Sequence, residues 1–256
     1  MPALLAAADD KDVQVIAESN EAALLGREMH ALIHHTCRDG TPLPPDDPKR
    51  IFSLAQRANA FVEQQVRAGR PFFMQVSHYA VHVQHHALDA TIQKYQQKML
   101  AGQQPRPEDA LYAAMIEDLD TGFGMLLDKL DELGIADNTY VIFTSDNGGG
   151  FRSNAPLRGG KANLWEGGIR VPTIVRGPGV LAGAQCDVPI AGWDFWATIR
   201  DLAGDGSTPP DEIDGGSLRS LFEKGNQGRV RRGAEALVFH FPWYDRLPMS
   251  AIRLGD

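Results

Sequence analysis

Three short runs in this chain bring together residue types that can do chemistry. In Ser145-Asp146-Asn147-Gly148-Gly149-Gly150, a carboxylate stands beside a carboxamide. Such a pair supplies hard oxygen ligands, which suit calcium or magnesium better than zinc, and the glycines let another backbone approach closely. Taken alone, an Asp-Asn-Gly tripeptide is more often a plain turn. The run Ser77 to His86 holds four histidines within nine positions (His78, His82, His85 and His86), out of 8 in the chain. Zinc is the first thought for such a cluster, but no helical His-x-x-x-His with a glutamate is present and no cysteine joins it. A loop histidine acting as an acid, or donating to an anion, fits at least as well. His85 and His86 read as solvated loop residues, which leaves His82 as the candidate. The third run, Pro156 to Pro172, sets Arg158 and Lys161 around Gly159-Gly160. Cations on flexible backbone suit an oxyanion, and the spacing is not that of a Walker A loop. Trp165 and Glu166 read as residues that fix this loop.

The elements that must position these runs are legible from periodicity. Leu24, Leu25, Met29, Leu32 and Ile33 recur at helical spacing, and the Gly- and Pro-rich run 39–45 then breaks any helix. A helix is predicted from about Ile51 to Ala68, stopped by Gly69 and Pro71, followed by a short buried strand at 72–76. Met115, Leu119, Phe123, Leu126, Leu130 and Leu133 form the stripe of a helix over about 108–133, with Gly134 as its stop. Residues 139–144 are β-branched and aromatic, the clearest strand in the chain. Further strands are predicted at 170–176 and 237–241, with a helix at 195–202. Helices alternating with apolar strands predict an α/β fold, a mainly parallel but mixed sheet with helices on both faces. Two of the chemical runs follow directly after strands, where open α/β sheets bind ligands. The chain divides into a helical lead-in at 1–70, an α/β core at 71–205 and an extension of the same domain at 206–256.

Composition sets bounds. At 256 residues, with 43% hydrophobic and 23% charged residues, the chain can bury a sizeable core. A formal charge of −8 argues against general nucleic-acid binding, but leaves room for a local anion site. The two cysteines, Cys37 and Cys186, form neither a metal-ligand pattern nor a framework of bridges. No apolar run is long enough to span a membrane. The start, Met1 to Asp12, lacks the basic segment of a secretory signal, and localisation stays open.

In this order, the three runs resemble the sulfatase family (arylsulfatases and their kin) of the alkaline-phosphatase-like superfamily. Thr139 to Gly149, with the preceding Asp118-Leu119-Asp120 helix, is similar to the family's metal-binding strand end. Pro156 to Pro172 resembles its lysine-bearing loop, and Phe72 to His82 its histidine loop. Asp194 to Ile199, Asp214 to Leu218 and His240 to Tyr244 look like later landmarks, so the resemblance covers roughly residues 70–245. It implies an alkaline-phosphatase-like fold and hydrolysis of a sulfate ester. Asp146 and Asn147 would be two ligands of a divalent cation, calcium with magnesium as the alternative. Lys161 would hold a sulfate oxygen, His82 would help the alcohol leave, and Arg158 would touch the substrate. The partner implied is a sulfated small molecule or glycan.

The departures are equally specific. The family's nucleophile is a Cys or Ser followed at the fourth position by Arg, with Pro or Ala between, and is oxidised to formylglycine. Cys37 is followed by Arg38-Asp39-Gly40-Thr41 and Cys186 by Asp187-Val188-Pro189-Ile190, so neither cysteine fits. The early paired aspartates of the metal site and the lysine and histidine near the nucleophile have no counterpart, and Val83-Gln84 replaces the usual Thr-Pro after His82. The expectation is an N-terminally truncated representative, inactive alone, with uncovered sheet surface that favours self-association. The rival readings are a phosphatase or phosphodiesterase of the same superfamily and a non-catalytic binding module.

Overall fold

The computed structural model describes residues 13–16 (by backbone alone), 45–82, 85–100, 107–150, 153–205, 210, 212–242 and 248–255. The helix expected near Leu24 to Ile33, the break at 39–44 and Cys37 lie outside the described residues. The chain forms two compact units, Met1–Ala136 and Asp137–Asp256.

In the first unit, strand β1 (Val13–Ile16) pairs in parallel with β2 (Phe73–Val76). Sequence reading did not place β1, which is only four residues long. Helix α1 (Ile51–Arg67) starts where Asp47 Oδ1 accepts the N–H groups of Phe52 and Ser53, at 2.9 and 3.2 Å. That carboxylate satisfies donors a helix start leaves free. Its buried stripe of Ile51, Leu54, Ala55, Ala58, Phe61, Val62 and Gln65 follows the helical period. Gly69, at φ +63°, ends it as expected.

Helix α2 (Asp89–Leu100), which periodicity did not reveal, packs beside the long α3 (Pro107–Glu132). Its start is tied to α3 by buried Asp118, whose carboxylate accepts the Leu88 N–H at 2.7 Å and the Thr91 hydroxyl at 2.8 Å. Where α1 meets α3, a Cβ on Gly122 would lie 2.5 Å from Ile51 Cγ2, so only glycine permits this approach.

In the second unit, β3 (Val141–Thr144) and β4 (Thr173–Arg176) run antiparallel, with Thr144 opposite Thr173. The hairpin β5 (Leu237–Phe241) and β6 (Met249–Arg253) is also antiparallel. The described strands thus pair in both senses, in a mixed α/β architecture. Helices α5 (Asp194–Leu202) and α6 (Arg219–Lys224) pack on one another. Leu218, Leu221 and Phe222 form a core that receives Tyr140 and Ile142 from the β3 region, Val175 from β4, and Phe195 and Leu202 from α5.

Asp194 organises this unit. Its side chain is fully buried and accepts N–H groups from Ala191 (2.7 Å) and Gly216 (3.0 Å). The Arg232 guanidinium grips both oxygens, Nε to Oδ1 at 2.8 Å and a terminal nitrogen to Oδ2 at 2.6 Å, and also donates to the Pro189 carbonyl. One helical turn on, Thr198 donates to the Asp194 carbonyl and accepts the Leu218 N–H. Truncating one member of such a pair leaves a buried charge uncompensated. Asp194→Ala should therefore cost about 3–5 kcal/mol, whereas replacing both partners together by apolar residues of similar volume should cost less than either single change. Urea unfolding of the two single variants and the double variant measures this; additive costs would contradict it.

Candidate functional site

The strand pair explains why two of the chemical runs lie together. Because Thr144 and Thr173 are opposite each other, the segment between them leaves and re-enters at the same end of the pair. The Thr144 hydroxyl closes that end, donating to the Pro172 carbonyl at 3.2 Å. From here the loop beginning Ser145-Asp146-Asn147 and the loop carrying Arg158 and Lys161 fold onto one another.

Backbone bonds join them. The Lys161 N–H donates to the Gly149 carbonyl at 3.0 Å, and the Gly148 N–H to Gly168 at 2.9 Å. Asn154 bridges both loops, its carboxamide nitrogen donating to the carbonyls of Gly149 (2.9 Å) and Gly159 (3.0 Å). The glycines are needed because a Cβ on Gly148 would overlap the Gly167 carbonyl oxygen, and one on Gly160 would stand 2.6 Å from that of Gly149. Next to Lys161, Ala162 adopts φ +67°, a left-handed conformation that costs a non-glycine residue about 1 kcal/mol. Strain of this kind persists only where the surroundings over-determine it. Neither Asn154 nor Ala162 stood out in the sequence.

The side chains this interlock presents are polar and open to solvent. Asp146 is exposed and takes a 3.4 Å contact from the Ser145 hydroxyl, while Asn147 is half-buried. Arg158 and Lys161 are exposed, and neither makes an ion pair among the described residues. The Arg158 guanidinium lies over the Trp165 ring, 3.7 Å from its centroid. Glu166, at the start of the short helix α4 (Glu166–Ile169), is engaged by Arg253 of β6 and by Arg170. Its expected role in fixing the loop agrees with this geometry, whereas Trp165 carries an arginine as well.

His82 belongs to the first unit. It is half-buried in a turn after β2, its N–H donating to the Tyr79 carbonyl at 2.8 Å. Its neighbours differ from expectation. His85 and His86 are half-buried, not solvated, and the His85 ring packs edge-on to Tyr112 of α3, at 5.2 Å between centroids. His78 is enclosed with neither ring nitrogen hydrogen-bonded, and burial pushes its pKa below the ordinary histidine value.

As a metal site, Asp146 and Asn147 offer two hard oxygen donors, short of the six to eight that calcium takes. Among the described residues no group of three or more His, Cys, Asp or Glu side chains converges to complete such a set. The donor type fits a hard cation, and the donor number requires further ligands. Cys186 is exposed and unbridged.

The interlock makes a direct prediction. Gly148→Ala must displace backbone and should destabilise the chain by about 1–3 kcal/mol. Gly192→Ala, where a Cβ meets nothing within 4 Å, should be near neutral. Equal denaturation midpoints for the two variants would show that the loops are not packed as described.

Comparison with known proteins places these features in a family. The sulfatase family model matches residues 36–205. A sulfatase of Formosa agariphila is 34% identical over 231 residues, spanning 84% of this chain and 40% of the relative. Human steryl-sulfatase is 35% identical over 211 residues, 76% of this chain and 33% of the relative. Among solved structures, Ps i-CgsB in complex with k-i-k-neocarrahexaose superposes with a TM-score of 0.69 at 26% identity, over 80% of this chain and 44% of that one. The chain thus spans two fifths or less of the length of these two relatives. By the family model and by its likeness to both, the chain belongs to the sulfatase family.

Proposed function

We propose that these residues form the sulfate-holding and part of the cation-holding portion of a sulfatase site, whose reaction is hydrolysis of a sulfate ester. The observation that carries this reading is the interlock of the two loops, in which the Lys161 N–H bonds to the Gly149 carbonyl. It fixes the loop of Asp146 and Asn147 against the loop of Lys161. Hydrolysis of a sulfate ester needs preorganised positive charge on the sulfate oxygens and help for the leaving oxygen. Lys161 supplies the first and carries no competing ion pair among the described residues. By the family resemblance the second would fall to His82 of the first unit, as the holder of a proton for the departing alcohol. Asp146 and Asn147 would be two oxygen ligands of calcium, or of magnesium, and the cation when bound would polarise the sulfate.

The 256 residues contain no cysteine in the family's nucleophile pattern, and the serine that stands at its spacing, Ser53 with Ala55 and Arg57, lies within helix α1 with its hydroxyl donating to the Arg50 carbonyl. By themselves they lack the covalent step, whose loss costs orders of magnitude in rate. The chain alone should therefore not release sulfate from 4-nitrophenyl sulfate at a measurable rate. It should bind calcium weakly, with a dissociation constant of about 10⁻⁴ to 10⁻³ M or more, because two ligands leave most of the coordination shell to water. Calorimetry should show that weak binding vanish in Asp146→Ala. Turnover that disappears in Lys161→Ala would overturn the inactivity, and calcium binding unchanged in Asp146→Ala would overturn the cation assignment.

Surface apolarity supports self-association. Val238 and Ile252 stand opposite each other on the outer face of the β5–β6 hairpin at 60% and 70% exposure, and Leu254 follows at 69%. Uncovered apolar sheet surface of this kind recruits other chains. Sedimentation velocity should show oligomers that diminish in Ile252→Lys; a monomer at all concentrations would refute this.

A further inference from the structure

Arg158 and Trp165 form a feature that the single-sulfate reading leaves unused. The guanidinium carbon lies over the indole, 3.7 Å from the ring centroid, while 49% of the tryptophan remains exposed. Both ends of this pair are held from below. The Arg158 carbonyl accepts the Gly167 N–H at 2.8 Å, and the Trp165 N–H donates to Asn163 Oδ1 at 3.1 Å. The neighbouring carboxylate, Glu166, is taken by Arg253 and Arg170. Arg158 is left with no carboxylate among the described residues.

A stacked arginine is a specific recognition device. Stacking uses the face of the guanidinium and leaves its edge of N–H donors free for a carboxylate or sulfate, which that fork matches bidentately. The ring also limits the rotamer freedom that an exposed arginine would otherwise lose on binding. Arg158 stands three residues before Lys161, across Gly159 at φ +77°. Three residues span at most about 11 Å even when extended. That reach suits two anionic groups on one sugar or on adjacent sugars.

We infer that the Arg158–Trp165 pair is a second anion subsite, and that it selects saccharides carrying a carboxylate or a further sulfate beside the sulfate held by Lys161. This rests on the sulfate role of Lys161 proposed above. A sulfated molecule with no second charge gains nothing from Arg158.

Calorimetric titration of the whole chain with two probes separates the claims, a disulfated disaccharide and 4-nitrophenyl sulfate. Arg158→Ala should weaken the disaccharide about tenfold and leave the monosulfate within about twofold. Trp165→Leu should act in the same direction, since it frees the guanidinium while keeping its charge. Arg158→Lys should recover only part of the loss, because an ammonium neither stacks flat nor forks. Unchanged far-ultraviolet circular dichroism shows that these surface variants are folded. Lys161→Ala should weaken both probes. If Lys161→Ala acts on both probes while Arg158→Ala acts on neither, or equally on both, the subsite is refuted and the sulfate role of Lys161 stands. If Lys161→Ala changes neither probe, or the unaltered chain binds neither, the sulfate role fails and the subsite with it.

Discussion

The second unit depends on one buried carboxylate. Asp194 lies out of reach of water and is held by two backbone N–H groups and both arms of Arg232. A buried charge is tolerated only with such complete satisfaction. The interaction therefore works as a constraint, fixing the segments 189–191, 214–218 and 232 around the start of α5. Through Thr198 it also sets Leu218, the centre of the core on which Tyr140, Ile142 and Val175 pack. Those residues anchor the β3–β4 pair, and the pair anchors the two loops. A charge pair remote in sequence from Asp146 and Lys161 thus sets the frame that positions them.

Within that frame, the loops are ordered by what glycine lacks. Gly148, Gly160, Gly167 and Gly168 each stand where a Cβ would run into backbone. Close packing of main chain lets carbonyls and N–H groups of the two loops pair directly, with Asn154 as the side-chain bridge. The result presents Arg158 and Lys161 uncompensated at the surface of a chain whose formal charge is −8. Local arrangement, not overall charge, sets the potential an anion meets.

Much of this was legible in the sequence, for identifiable reasons. Long elements with a strong period, α1 and α3, were read to within a residue or two, since their stripes and the stops at Gly69 and Gly134 agree. The strand before Asp146 was clear from its β-branched residues. Helix α2 was missed because its start depends on Asp118, a residue of a different helix, and because its own apolar stripe is thin. The short α6 and β6 gave too few residues for a period. The antiparallel register of β3 and β4 is a tertiary property that no local pattern encodes. Among the candidate residues, Asp146, Asn147, Arg158 and Lys161 stood out by type and by glycine spacing. The bridge of Asn154, the left-handed Ala162 and the partner of Asp194 could not, because a lone Asn, Ala or Arg carries no signal until its contacts are known. His85 and His86 looked solvated for the same reason, since the ring of Tyr112 that covers His85 comes from a distant helix.

The central claim is that the loop of Asp146 and Asn147 and the loop of Lys161 act as one site for a cation and a sulfate. The most direct measurement is the amide nuclear magnetic resonance spectrum of the chain, titrated with calcium and then with inorganic sulfate. The account predicts shifts concentrated in 145–150 and 158–168, with sulfate perturbing Lys161 and its glycine neighbours more strongly once calcium is present. Shifts scattered over the surface, or a calcium response that leaves the Lys161 loop unmoved, would contradict it.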